Sequence, residues 1–147
     1  MVEMNKNIKL SEHFTLGELC KTNHKTADGN IPSRVAIENL RNICENWLEA
    51  LRQAQGPIVI NSGYRSPEVN KLAGGSATSN HLTGCAVDIR VTGFEQAIRY
   101  ASILLDIADG TKRDFDELII ERNSAGRYWI HFAVRPKDNR RKTGFLK

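Results

Sequence analysis

GGSATSNHLTGCAVDIRV, residues 74–91, decides how this chain is read: a glycine-opened loop delivers His81, and a strand seven residues further on delivers Asp88. From Cys85 to Val91 the side chains alternate, with Ala86, Asp88 and Arg90 on one face and Val87, Ile89 and Val91 on the other. An acid between two branched aliphatics is costly to bury alone, so Asp88 either faces solvent or has a cation beside it. A neighbouring Arg90 or Lys71 is one such cation and a metal ion is another. Zinc takes imidazole nitrogen and carboxylate oxygen, and a catalytic site keeps three protein ligands and leaves a fourth position for water. His81 and Asp88 would supply two of the three.

The third candidate comes from the last hairpin, FDELIIERNSAGRYWIHFAV, residues 115–134. Gly126 suits the left-handed position of a three-residue loop over residues 124–126. That turn sets Arg122 opposite Tyr128, Glu121 opposite Trp129 and Ile119 opposite His131, so Glu121, Trp129, Ile119 and His131 share one face. A loop of two or four residues would send Glu121 to the other face. Glu117 has the same parity as Glu121 but lies further from the turn. As spacing alone, two histidines and an aspartate are a weak signal: His81 also reads as a solvated loop residue and His131 as a hydrogen-bonded sheet histidine.

The flanking segments read as scaffold. Thr15 and Glu18 have the capping-box spacing for a short helix starting at Leu16, pinned by Phe14, Leu16 and Leu19. Ser33 caps the longest helix, whose stripe of Ile37, Leu40, Ile43, Cys44, Trp47, Leu48 and Leu51 runs to a stop at Gly56 and Pro57. A short strand, PIVINS, leads through GYR to Ser66 and Pro67, the cap and first position of a helix ending near Ala73. Arg65 precedes that cap, as a surface residue or as a fork that clamps a substrate carboxylate. FEQAIRYASILLDIAD predicts a second amphipathic helix with Phe94, Ala97, Ile98, Ala101, Leu104, Leu105 and Ala108 inward and Gly110 beyond its end. His13 and His24 have no partner at metal-ligand spacing.

With 147 residues, 40% hydrophobic and 26% charged, the chain is expected to form one domain, residues 1–147, with a real core. No run is long and apolar enough to span a membrane, and MVEMNKNIKL lacks the apolar stretch of a secretory signal, so the chain is expected to be made and kept in the cytosol. Three widely spaced cysteines, Cys20, Cys44 and Cys85, fit no disulfide framework and are read as thiols. The net charge of +4 is concentrated in residues 135–147, which hold six Lys or Arg against one Asp. That segment is expected to be a solvated basic tail. With no interleaved aromatics it makes a poor case for nucleic-acid binding.

SGYRSPEVN (62–70), GGSATSNHLTGCAVDI (74–89), FDELIIE (115–121) and WIHF (129–132), in this order, resemble the zinc peptidases of the D-alanyl-D-alanine carboxypeptidase family, above all their phage and prophage branch. SEHFTLGEL (11–19) resembles that branch's opening, so the likeness spans nearly the whole chain. The resemblance implies zinc held by His81, Asp88 and His131, with Arg65, Ser79 and Trp129 binding the substrate, Ser79 in the same motif as His81 and Trp129 two residues before the second histidine. Many relatives carry the catalytic glutamate three residues before the last histidine, where this chain has Tyr128. Glu121 is the expected substitute and Glu117 the reserve.

The implied fold is α+β and hedgehog/DD-peptidase-like: strands near 57–62, 85–91, 115–122 and 127–134 in a small, mainly antiparallel sheet, two long helices on one face and the site on the other. The implied activity is zinc-dependent hydrolysis of a peptidoglycan stem peptide, at a D-Ala-D-Ala end or at a bond of the L-Ala-D-Glu type, by a monomeric endolysin-like enzyme that reaches the wall after release. Two other classes fit the same residues, an inactive zinc-bearing wall-binding module and a phage structural protein.

Overall fold

The computed structural model describes residues 4–146. Five strands form one sheet: β1 (Ile60–Ser62), β2 (Ala86–Arg90), β3 (Glu117–Arg122), β4 (Tyr128–Ala133) and β5 (Lys142–Leu146), in the spatial order β1-β2-β4-β3-β5. The pairs β1–β2, β2–β4 and β4–β3 are antiparallel, and β5 runs parallel to β3. The expected α+β architecture is therefore present, with a strand added. PIVINS is strand only from Ile60, although Val59 still accepts a backbone bond from Arg90.

Alternation along β2 and β4 divides the sheet. Val87, Ile89, Ile130 and Phe132 point to a core under the helices, while Asp88 and His131 point to the opposite face. Trp47 meets Phe132 edge-on at 5.1 Å and Phe115 at 6.3 Å, so the long helix is locked directly behind the strand that carries His131. Burying a side chain such as Phe132 stabilises the fold by roughly 1.5–3 kcal/mol.

The helices follow their caps. Thr15 and Glu18 form the capping box of α1 (Leu16–Leu19), and Ser33 caps α2 (Arg34–Ile43). Cys44–Leu48 then form a π-helical turn before α3 (Glu49–Gln55), which stops at Gly56 with φ 84°. The extra residue in that turn was not visible in the periodicity; it keeps Ile43, Cys44, Trp47, Leu48 and Leu51 all in the core. Ser66 and Pro67 start α4 (Pro67–Leu72) as expected.

In α5 (Phe94–Thr111) the buried stripe is Ala97, Tyr100, Leu104 and Ala108, rotated from the expected one. Ile98 is exposed, and Phe94, also largely exposed, covers the end of the sheet by contacting Tyr128 and Phe145. Gly110 is inside the helix, and Lys112 at φ 56° takes the left-handed cap instead.

The segment after β4 is exposed over most of its length, as expected of a basic tail, but it is tied to the body of the fold. Arg140 makes a two-pronged bond to the fully buried Asp116, Nε to Oδ1 at 3.0 Å and Nη2 to Oδ2 at 2.8 Å, and Arg135 Nε approaches the same carboxylate at 3.2 Å. Arg141 pairs with Asp109 and Asp114, and β5 follows. Buried Asp116 supplies the reason: a carboxylate removed from water needs cations, and the basic segment provides them. Lys147 lies outside the described residues. Cys20, Cys44 and Cys85 are buried and unpaired, and burial pushes the Cys20 thiol up to about 12.

Candidate metal centre and cleft

His81 is delivered by a tight local device. Ser79 Oγ accepts from the His81 backbone N–H at 3.2 Å and opens a 3₁₀ turn (Asn80–Thr83), which Gly84 closes at φ 73°. A Cβ at Gly84 would run into the Ala36 carbonyl, so the loop seats directly on α2. Asp88 and His131 face each other across β2 and β4. The hairpin has the three-residue loop and register read from the sequence, with Glu121 opposite Trp129 and Ile119 opposite His131.

One ligand atom from each of His81, Asp88 and His131 lies within 4.8 Å of the others. Asp88 Oδ1 is 3.3 Å from His81 Nε2 and 3.3 Å from His131 Nδ1. The far nitrogen of each ring is taken: His81 Nδ1 lies 2.6 Å from the Gly63 carbonyl, and His131 Nε2 lies 2.9 Å from Glu117 Oε1. A ring whose outer N–H is held by a carbonyl or carboxylate presents a bare nitrogen inward, which is how ligating histidines are oriented. The donor set fits a metal ion of the zinc type, two imidazole nitrogens and one carboxylate oxygen with a side left open to the cleft.

Without a metal, the cluster balances its own charge, with a proton on His131 standing where a cation would. Burial alone would push the Asp88 carboxyl up, but His81 and His131 hold it well below the usual range. Burial would lower His131, and Asp88 and Glu117 instead raise it to about 9. The second oxygen of Asp88 receives Arg65 Nη2 at 3.1 Å, while Arg65 Nε bonds Ser62 at 3.1 Å and Nη1 approaches Asn70 at 3.5 Å. Arg65 thus lies in the cleft wall as expected, with most of its fork already engaged; Arg90 and Lys71 do not pair with Asp88, and Arg90 bonds Asn61 instead.

The cleft over this cluster has a volume of about 500 Å³, and Arg65, Ser79, Glu117, Glu121 and Trp129 all line it. The two glutamates differ sharply. His131 and Asn80 outweigh burial at Glu117 and hold its carboxyl down to about 2. At Glu121, burial and the Asp88 charge push the carboxyl up, more strongly than His131 and Trp129 draw it down. Tyr128, three residues before His131, has the parity of Ile130 and Phe132 and packs against Phe94 at 5.4 Å, away from the cleft. His13 is occupied elsewhere, at 2.7 Å from Glu49, and His24 is exposed.

Sequence reasoning missed Asn80, whose amide bonds both Asp116 and Glu117 at 2.8 Å and links the arginine cluster to the glutamate behind His131. It also missed the contribution of β5, since Lys142 and Leu146 line the cleft too.

A sheet face bearing a His-Asp-His cluster beneath an open cleft has the donor set of a metal site. The model of the family described as Peptidase M15 matches residues 12–117, well over half of the chain, and the chain belongs to that family. A zinc D-Ala-D-Ala carboxypeptidase from Streptomyces albus G is 35% identical over 80 residues, which cover 52% of this chain and 31% of that protein.

Proposed function

We propose that this chain is a zinc-dependent peptidase that hydrolyses an amide bond in peptidoglycan stem peptides, with the D-Ala-D-Ala end as the first candidate bond. The observation that carries this reading is the convergence of His81 Nε2, Asp88 Oδ1 and His131 Nδ1, each backed by a partner, beneath a cleft that also holds Glu121. The name of the Streptomyces relative supports zinc and the D-Ala-D-Ala bond. A lysis role for a phage or prophage protein, with bond specificity of the L-Ala-D-Glu type as the other option, rests on the sequence resemblance.

His81, Asp88 and His131 would hold the metal. Zinc, when bound, supplies a Lewis acid that polarises a carbonyl and lowers the pKa of water to roughly 7. Glu121 takes the proton of the attacking water and returns it to the leaving amine, a task suited to a carboxylate whose basicity burial has raised. Glu117 is unsuited to that exchange because His131, Asn80 and Arg140 already hold it ionised. Arg65 fixes Asp88, and its remaining N–H groups are donors for a substrate oxygen. Trp129 offers an apolar wall, and Ser79 keeps His81 in place.

Metal content and hydrolysis of a D-Ala-D-Ala peptide, measured on wild type and His81→Ala, test the reading. About one zinc per chain with release of D-alanine, both lost in the variant, is the expected result. A wild-type protein that takes no metal when zinc is supplied would overturn it.

A further inference from the structure

We infer that β5 builds a carboxylate subsite in the cleft, with Lys142 as the residue that selects a negatively charged substrate; the inference rests on the peptidase reading. β5 pairs with β3 so that Lys142 is beside Glu117, Gly144 beside Ile119 and Leu146 beside Glu121. Partners in a parallel ladder share a face, so Lys142, Gly144 and Leu146 all fall on the cleft face, one strand beyond the proposed base. Lys142 and Leu146 line the cleft, and a Cβ at Gly144 would meet nothing within 4 Å, so the floor between them is open.

Charge distribution singles out Lys142. Four Lys or Arg side chains line the cleft: Arg65, Arg135, Arg140 and Lys142. Arg65 is bonded to Asp88, while Arg135 and Arg140 are bonded to Asp116. Among the described residues, Lys142 forms no ion pair, although its backbone N–H is fixed on the Asp116 carbonyl at 2.9 Å. An ammonium on an anchored strand, level with Glu117 and followed on the same face by Gly144 beside Ile119 and by Leu146, suits a carboxylate whose small alkyl neighbour lies over that apolar stretch. An alanine-like C-terminal residue has that chemistry, and so does an acidic side chain further along the peptide. None of these β5 residues falls in the stretch matched by the family, residues 12–117.

The test uses the zinc-loaded chain and three acetylated peptides: one with an internal glutamate and a free D-Ala-D-Ala end, its C-terminal amide, and a form with glutamine replacing the glutamate. Binding is measured by calorimetry in the Glu121→Gln background, so that peptide is not consumed, with Lys142 intact, Lys142→Ala and Lys142→Arg; hydrolysis by the Glu121 forms is followed in parallel. With Lys142 intact, the free-acid peptide should bind roughly tenfold tighter than whichever form lacks the recognised carboxylate. Lys142→Ala should abolish the difference and Lys142→Arg should retain it. Loss of affinity on amidation identifies the terminal carboxylate as the ligand, and loss on the glutamine exchange identifies the side chain. Equal affinity for all three peptides, or preserved discrimination in Lys142→Ala, overturns the subsite even if hydrolysis proceeds. Carboxylate-dependent binding through Lys142 without any hydrolysis supports the subsite and overturns the peptidase reading. No binding of any peptide overturns both.

Discussion

Glu117 Oε1 stands 2.9 Å from His131 Nε2, the ring nitrogen turned away from Asp88. The pair fixes which nitrogen of His131 faces the centre and leaves Glu121 as the uncommitted carboxylate. Glu117→Gln keeps the shape but removes the charge behind the ring. Zinc affinity should fall by about 10- to 100-fold, read by competition with a chelator. An unchanged affinity would show that the contact is incidental to the site.

Glu121→Gln should separate chemistry from metal binding. Removing a general base typically costs about 10²–10⁴-fold in rate, so hydrolysis should drop into that range while metal content stays at the wild-type level. Retained turnover would move the base elsewhere in the cleft.

Acid should unfold the chain partly through Asp116. Burial would push this carboxyl up from 3.8, but Arg140, Asn80 and Arg135 hold it at about 2. A group depressed on folding stabilises the native state above its ordinary pKa, and that contribution is lost as pH falls from about 4 towards 2. Asp116→Asn should therefore be less stable than wild type at pH 7, and the gap between their urea midpoints should close across that window. A gap that is constant with pH would rule out this origin.

Gly84→Ala should destabilise strongly for its size. The left-handed φ of 73° costs a β-carbon roughly 1–2 kcal/mol, and overlap with the Ala36 carbonyl adds roughly 1–3 kcal/mol. Chemical denaturation of the metal-free protein measures the sum. A loss below about 0.5 kcal/mol would mean that the loop shifts freely off α2.

Much of the site was legible because it depended on local rules. Alternation put Asp88 on the face opposite Val87 and Ile89, and Gly126 fixed the turn that brought Glu121 and His131 to one face. Ser33 and Ser66 marked helix starts by the same kind of short-range chemistry. What escaped was set by long-range pairing. Nothing near Arg65 announces Asp88 as its partner, and Gly63 offers His81 only a main-chain oxygen, which no residue type encodes. Residues 142–146, KTGFL, read as tail because all five are exposed and carry no buried alternation. Their strand identity comes from the open edge of β3 and from arginines drawn to Asp116. The rotated stripe of α5 likewise reflects Phe94 being drawn over Tyr128 and Phe145 at the end of the sheet.

The two histidines of the cluster inherit their tautomers from different kinds of memory. For His131 the proton is assigned by a side chain, so a single codon change at Glu117 can retune it. For His81 it is assigned by the Gly63 carbonyl, which every amino acid possesses. Gly63 also abuts the Leu19 carbonyl too closely for a β-carbon, and the next residue, Tyr64, donates its N–H to that carbonyl at 2.8 Å. No substitution at position 63 can delete the acceptor; it can only displace it, together with the contact to α1. If the two histidines hold the metal as proposed, drift in metal affinity over evolutionary time, or in a directed-evolution experiment, would have an easy route through His131 and a nearly closed one through His81.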